Sequence, residues 1–412
     1  VLEAAEGGVF FREYWAEREG QANDSAGRFL RVNDAETALH PSFGRRAEAR
    51  TNGLLLIEAD EDLFGLGGAE LYLELWGGHP GTARKRFFLN GRGPYELPEV
   101  GTEAGACTYS YPSVPLAVSH LVRGANAFQF ACERGEGFWG HYIVDNACLR
   151  VVLKGGHPDV EAAGLAGFEA AVKAAEEVGD ETAVWLECAA GCEDAVESVD
   201  YYARYGGFDD DGDGEEADWH GFTLARRPAN HVGSAQAAPF ALTWDTRMVP
   251  SQQADMALRA VVRLRGGLQY LTPVQRGLRF PADRPEVVLF RPAEMPTAFW
   301  SRASQAMEAV VELPADLSGV ERAELWVKVW DGGAGEVAEP FTINGHAYGI
   351  LSGTACHDVV FTRAEVPVRH LAGGANRLRL LSDTEHHGVE VLLPGPCLVL
   401  RTARGGAAGS VH

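Results

Sequence analysis

Lysine is scarce in this sequence. Only Lys85, Lys154, Lys173 and Lys328 contribute to its 36 basic residues, and 58 acidic residues leave a formal charge of -22. A surplus of negative charge repels phosphate backbones and anionic bilayers, so nucleic acid is not an expected partner, whereas neutral or cationic molecules fit. Long apolar runs are missing too. None approaches the roughly 18 residues of a membrane-crossing helix, so membrane insertion is not expected. The seven cysteines contain no CxxC spacing, which argues against a zinc or dithiol redox motif, and their odd number predicts at least one unpaired thiol. There is also no nucleophile elbow, phosphate loop or HExxH. The chain opens on Val1 without an apolar signal core, compatible with a targeting segment removed upstream.

What is present points to several β-built cores. At 412 residues the chain exceeds the about 100 to 200 residues of a typical domain, which predicts two to four domains. An apolar share of 46% with 23% charged residues is ordinary for a globular protein. The excess of arginine, alanine and glycine fits a GC-rich genome or adaptation to salt or heat.

An internal repeat organises the rest. Ala69-Glu70-Leu71, Trp76, Phe87 and Asn90-Gly91 reappear as Ala323-Glu324-Leu325, Trp330, Phe341 and Asn344-Gly345, all at an offset of 254. His120-Leu121-x-x-Gly124-Ala125-Asn126 returns as His370-Leu371-x-x-Gly374-Ala375-Asn376 at an offset of 250. Cys107 and Cys148 lie 41 apart, as do Cys356 and Cys397. Either each copy holds one disulfide, which would imply an oxidising compartment, or these are small buried thiols kept from one ancestor. Leu71, Leu73 and Leu75 alternate with Glu70 and Glu74, and Leu325, Val327 and Val329 alternate with Glu324 and Lys328. That is the period of half-buried antiparallel strands. Phe128 and Phe130, matched by Leu378 and Leu380, begin another strand after a Gly-Ala-Asn turn.

A strand ending in Asn-Gly, a variable loop, a Leu-x-x-Gly-x-Asn segment and an alternating strand together resemble the galactose-binding-like jelly rolls attached to many secreted glycosidases. The matching stretches are Phe87 to Arg92 with Leu121 to Phe130, and Phe341 to His346 with Leu371 to Leu380. Between the copies, the strand Met256 to Leu264, expected to have one wet face, joins Val184 to Cys188 and Phe240 to Trp244 in a stretch resembling bacterial immunoglobulin-like modules. Cys188 and Cys192 are too close in sequence for the cross-sheet bridge of antibody domains. Leu165 to Val178 fits a helix or an edge strand. The expected fold class is therefore all-β: a jelly-roll β-sandwich at residues 1–154, an Ig-like β-sandwich at 155–278 and a second jelly roll at 279–412, the two jelly rolls related by internal duplication.

Candidate chemistry clusters in three places. Asp209, Asp211 and Asp213, with Glu215 and Asp218 close behind and glycines bending the chain, offer the hard oxygens of a structural calcium ion. His220 stands where an EF-hand has its closing Glu, so an EF-hand helix pair is not expected. Trp219 and His220, taken as a loop, have the composition of a sugar-stacking site. In the first copy, His79, Trp139 and His141, with Tyr109 and Tyr111, are aromatic and imidazole groups mostly not preserved in the second, where Asp331, His357 and His386-His387 take up comparable stretches. The first-copy groups are candidates for a carbohydrate-binding groove and, for His141, Tyr109 and Tyr111, for lyase acid–base chemistry. Glu70 and Glu74 share a strand face, as a glycosidase pair or a solvated one. His386 and His387 are adjacent on a strand and expected to diverge, and Asn23-Asp24-Ser25 is a formal glycosylation sequon. The expected role is a secreted or cell-surface protein, of bacterial type, that recognises polysaccharide. The alternatives are a polysaccharide lyase or glycoside hydrolase, and a structural surface or filament protein.

Overall fold

The computed structural model describes residues 8–17, 30–34, 53–78, 82–98, 108–134, 140–189, 191–296, 300–301, 306–331, 339–348, 358–381 and 389–403. Among these the architecture is all-β, with antiparallel sheets throughout the named strands, one short α-helix, Pro158–Ala162, and four single-turn 3-10 helices. Its spine is a large half-barrel sheet. In spatial order the main path runs Ala217–His220, Val196–Gly206, Met256–Leu264, Gln269–Leu271, Val9–Trp15, His141–Leu153, Leu66–Trp76 and Tyr109–Ser110. The strand Val9–Trp15 is the seam. It pairs with His141–Leu153 on one side, Glu13 opposite Arg150, and with Gln269–Leu271 on the other, Phe11 opposite Gln269. The sheet is thus continuous from the N-terminal strands, His141–Leu153 and Leu66–Trp76, into the middle ones, Gln269–Leu271 and Met256–Leu264.

Two smaller sheets cover one face of this spine. Gly53–Ala59, Gly124–Arg134, Thr82–Leu89 and Arg92–Glu96 form one; Ala170–Ala174, Glu181–Cys188 and Ala241–Asp245 form the other. The ambiguous Leu165 to Val178 stretch resolves as a turn followed by the strand Ala170–Ala174. Period-two alternation sends Leu71, Leu73 and Leu75 inward against Phe87, Leu89, Phe128 and Phe130. Leu258, Ala260 and Val262 likewise meet Val172, Val184 and Leu186. The wet face expected for Met256–Leu264 is not wet: Ala257, Arg259 and Val261 are buried and only Arg263 is half-buried, with Arg259 giving its guanidinium to the Thr272 carbonyl.

The C-terminal segment makes a sandwich of its own. A six-stranded sheet built around Val320–Asp331 and Cys397–Thr402 packs on a five-stranded sheet that includes Met307–Leu313, Gly374–Leu381 and Glu339–Ile343. Leu325, Val327 and Val329 close this core with Val311, Phe341, Ile343 and Leu378.

The two repeated stretches build the same local structure. Asn90 and Asn344 both sit at φ 51°, and Gly91 and Gly345 follow at 76° and 82°, the left-handed pair that a two-residue hairpin turn requires. The Asn90 amide donates to the His120 carbonyl at 2.8 Å and to Asn126 Oδ1 at 3.1 Å; Asn344 repeats this to His370 and Asn376 at 2.9 and 2.8 Å. Asn126 and Asn376 each accept a backbone N–H four residues upstream and donate to two nearby carbonyls. Tyr95 and Tyr348 complete the pattern on His120 and His370 at 2.6 and 2.7 Å.

The disulfide alternative meets buried thiols instead. Cys148 and Cys397 are free and fully buried. Their proposed partners Cys107 and Cys356 lie outside the described residues. Apolar burial pushes the Cys397 thiol up to about 12. Cys188 and Cys192 are partly exposed free thiols.

Candidate functional site

The acidic loop folds as a nest around its own backbone. Asp209, 4% exposed, accepts N–H groups from Gly212 at 2.6 Å, Asp213 at 3.1 Å and Gly214 at 2.9 Å. This brings carboxylate oxygens of Asp209, Asp211 and Asp213 within 4.8 Å of one another. Burial, then the charges of Asp213 and Asp209, pushes the Asp211 carboxyl up to about 7. Glu215 and Asp218 do not join this trio; the Asp218 carboxylate instead accepts the N–H of Trp219. Asp210 turns the other way, to both bonds from the Asn230 amide and to His220 Nδ1 at 3.2 Å. His220 is committed as well. Its Nε2 donates to the Tyr205 carbonyl at 2.9 Å and its ring stacks on Tyr205 at 3.8 Å. The expected Trp219-His220 loop is in fact the end of the strand Ala217–His220, paired with Val196–Gly206.

The loop is also a junction. Lys328, fully buried on the strand Val320–Asp331, donates to the Tyr109 carbonyl at 2.7 Å and to the Asp210 carbonyl. Three segments of the chain meet at that ammonium. Burial lowers its pKa to about 8 against the pull of the loop carboxylates. Nearby, Trp76 and Trp330, equivalent positions of the repeat, stack on each other at 6.0 Å, and the Trp76 indole donates to Glu390 at 3.2 Å.

This junction contains the three residues considered for acid–base chemistry. His141 is 4% exposed, its ring 5.2 Å from that of Trp76. Tyr109 is 2% exposed and donates its hydroxyl to Asp145 at 2.7 Å. Tyr111 stacks on Phe222 at 4.4 Å, with its hydroxyl buried. Burial, followed by neighbouring negative and phenolic groups, raises both tyrosine hydroxyls well above their ordinary value. His79, Trp139, His386, His387 and the sequon at Asn23 lie outside the described residues.

The face of the large sheet opposite its apolar core carries a network that the sequence did not disclose. Glu70, Arg150 and Glu13 stand in one cross-strand row, the guanidinium 2.9 Å from Glu13 and 3.4 Å from Glu70. Gln269, opposite Phe11 and so diagonal to this row, gives its amide to Glu13 at 3.0 Å, and Arg263 meets Asp200 at 3.2 Å. Arg150 also lies 4.0 Å over the Tyr72 ring. Glu70 and Glu74 do share this face, but neither is a solvated pair member. Glu74 is 1% exposed and accepts from Asn146 at 2.6 Å, Thr223 at 2.7 Å and the Ala225 and Arg226 N–H groups at 3.1 and 2.9 Å. It therefore anchors a hairpin, Phe222–Leu224 with Arg227–Ala229, whose tip residues Ala225 and Arg226 have φ 48° and 66°. That hairpin overhangs the sheet and forms a cleft with it, lined by half-buried Trp15 and Arg226, with Glu13, Arg150, Arg263 and Gln269.

A second cluster, Glu61, His157 and Asp159, already has a cation within it: Arg12 donates to Glu61 at 2.8 Å and to Asp159 at 2.7 Å. No helix among the described residues is long and apolar enough to cross a membrane.

No protein-family model and no curated protein sequence matches the chain. Among solved structures, parts of it are distantly similar to parts of glycoside hydrolases. A β-porphyranase of glycoside hydrolase family 86 from the human gut bacterium Bacteroides plebeius matches at 13% identity and TM-score 0.25, over 56% of this chain and 36% of that one. A family 86 protein solved with neoagarooctaose matches at 10% identity and TM-score 0.26, over 57% and 34%. A glycosyl hydrolase family 2 member from Bacteroides cellulosilyticus matches at 11% and 0.22, over 66% and 38%. The chain thus spans only about a third of the length of each of these proteins.

Proposed function

We propose that this protein is an extracellular polysaccharide-recognition protein that binds its ligand without cleaving it, in the cleft on the polar face of the large sheet. The observation that carries this reading is the pairing of half-buried Trp15 with a rigid set of charged and amide groups beneath an overhanging hairpin. Sugar recognition needs a flat apolar surface for the ring face beside polar groups fixed in direction for the hydroxyls. Arg226 approaches the Trp15 ring at 5.8 Å, and its Nε holds Asn146 at 3.1 Å, so hairpin and platform are fixed together. The test is retention of the full chain on a panel of soluble neutral and acidic polysaccharides, scored also for released reducing ends. Trp15→Ala should weaken retention at least ~10-fold, about 1.4 kcal/mol, with little change in melting temperature. Retention unchanged by that substitution, or absent across the panel, would sink the reading, and reducing-end release would replace it with a hydrolase.

The same proposal assigns a structural calcium ion to Asp209, Asp211 and Asp213, whose mutual repulsion a divalent cation would relieve. Its benefit would be to hold the loop on which Lys328 and the Tyr109 carbonyl converge. Calcium in excess over chelator should raise the melting temperature; an unchanged value removes the assignment.

A further inference from the structure

We propose that the cleft selects polysaccharides that carry carboxylates, a uronate group being received by Arg226 and Arg263; this rests on the polysaccharide-binding reading above and gives its ligand class. The charged side chains lining the cleft are Glu13, Arg150, Arg226 and Arg263, three guanidiniums to one carboxylate. Two of the four are spent on each other. Although burial opposes its charge, Glu13 is held below the ordinary carboxylate range by Arg150, 2.9 Å away, and by the Gln269 amide. Arg150 also meets Glu70, so neither group is left for a ligand. The other two guanidiniums reach solvent. The Arg263 side chain is 38% exposed; its Nε meets Asp200, a buried residue outside the cleft lining, and no hydrogen bond among the described residues occupies its terminal nitrogens. The Arg226 side chain is 30% exposed; Nε holds Asn146, Nη2 holds the Ala16 carbonyl, and Nη1 faces Glu17 at 3.6 Å. Glu17 is itself 82% exposed, and an ion pair so open is weak enough for another carboxylate to displace.

Contact chemistry therefore favours an anion. A carboxylate offers two coplanar oxygens to the forked N–H groups of a guanidinium, in charge-assisted hydrogen bonds. An ammonium would lie against the guanidiniums, and a neutral hydroxyl would only exchange with the water on them. The formal charge of -22 opposes anions at a distance, but salt screens that field beyond about 8 Å, so within the cleft the two arginines decide. The cleft's volume, about 40 Å³, has room for a carboxylate but not for a sugar ring. The ring would stay above it at Trp15, whose indole lies 5.8 Å from the Arg226 guanidinium. A uronate suits this spacing because its carboxylate is bonded directly to the ring.

Oligosaccharides differing only at carbon 6 test this: the uronate, its methyl ester and the neutral hydroxymethyl form, in both the gluco and galacto series. They would be titrated into the full chain by calorimetry, with chelator present so that calcium cannot bridge ligand and protein. In one series the uronate should bind at least ~10-fold tighter than its ester and its hydroxymethyl counterpart, a difference of about 1.4 kcal/mol, and only its affinity should fall as salt is raised. Arg263→Gln should reduce uronate binding to the level of the ester and leave the ester unchanged. Should that variant fail to fold, Glu17→Gln keeps the test, because its site is exposed: removing the competing carboxylate should tighten uronate binding by ~3-fold without changing the ester or the melting temperature. Ester or hydroxymethyl forms binding as tightly as the uronate in both series, a uronate preference that survives Arg263→Gln, or no tightening in Glu17→Gln overturns the assignment. Polysaccharide retention sensitive to Trp15→Ala would then leave the wider reading intact. Absence of binding by every oligosaccharide and every polysaccharide removes both.

Discussion

In the first sandwich the outward row of the main sheet reads Glu70, Arg150, Glu13; in the C-terminal sandwich the same pairing positions hold Glu324, Val399 and Leu289. One column along, Tyr72 opposite Cys148 corresponds to Trp326 opposite Cys397. The turns, inward-facing leucines and valines and Asn–Asn networks are alike, so the framework tolerates either outward row. In the first sandwich Arg150 makes the row a charged network, and the sheet continues through Val9–Trp15 to form a cleft. In the second, Val399 joins Trp326, Cys397 and Val287 in an apolar patch that is covered by Phe208 and Met248 from the middle segment. The difference teaches that inward residues build the sandwich, while the outward row decides between a candidate binding face and a docking surface.

The sharpest way to break this comparison is to give the first row the second row's central character. Arg150→Leu strands Glu13 and Glu70 as partly buried carboxylates and should cost about 3–5 kcal/mol in urea unfolding. Replacing Glu13 by Leu and Arg150 by Val together should recover only the share of that loss due to Glu13, since an apolar pair needs no counter-charge while Glu70 still lacks Arg150. A loss below about 1 kcal/mol for the single variant would mean that the row is solvated and not a network.

The matched frameworks make a second test. Asn126→Ala and Asn376→Ala each remove the same set of turn-closing bonds, and each should destabilise by about 2–4 kcal/mol. Values differing by more than about 2 kcal/mol would show that equal geometry conceals unequal support.

A smaller effect belongs to the acidic junction that lies between the two sandwiches. The Asp211 carboxyl is raised from 3.8 to about 7, so between those pH values the folded chain binds more protons than the unfolded one, and stability falls as pH rises through the window. Asp211→Asn should therefore raise stability at pH 8 with chelator present by on the order of 1–2 kcal/mol, and make no difference below pH ~4. Equal stabilities at both pH values would show that the loop is relaxed without a cation. With calcium added the substitution should instead reduce the calcium-induced rise in melting temperature.

Much of the framework was legible because it depends on short-range signals. Asn90-Gly91 and Asn344-Gly345 specify left-handed turns, and Leu71, Leu73 and Leu75 specify an inward face, whatever surrounds them. The acidic trio was legible for the same reason, its members being two residues apart on one nest. The cleft was not. Glu13 and Trp15 sit in Val-Phe-Phe-Arg-Glu-Tyr-Trp, where apolar and polar side chains fall on both faces, and Gln269 is 256 residues from the Glu13 that orients it. Glu70 and Glu74 read as a glycosidase pair or a solvated one because nothing local announces the hairpin and the arginine that engage them. Tyr109 looked accessible for a parallel reason: it packs with Trp330, Val359 and Leu392, which arrive from the other end of the chain.

By itself the sequence determined the all-β character, the two Asn–Gly frameworks and the carboxylate nest, because backbone φ preference, side-chain alternation and near-neighbour charge act over a few residues. Only the tertiary structure decided that Val9–Trp15 joins two sheets into one, that Trp76 meets Trp330, and that one outward face is docked while the other forms a cleft. Those outcomes depend on which distant surfaces exclude water from each other, and complementarity between surfaces is a property of the folded chain.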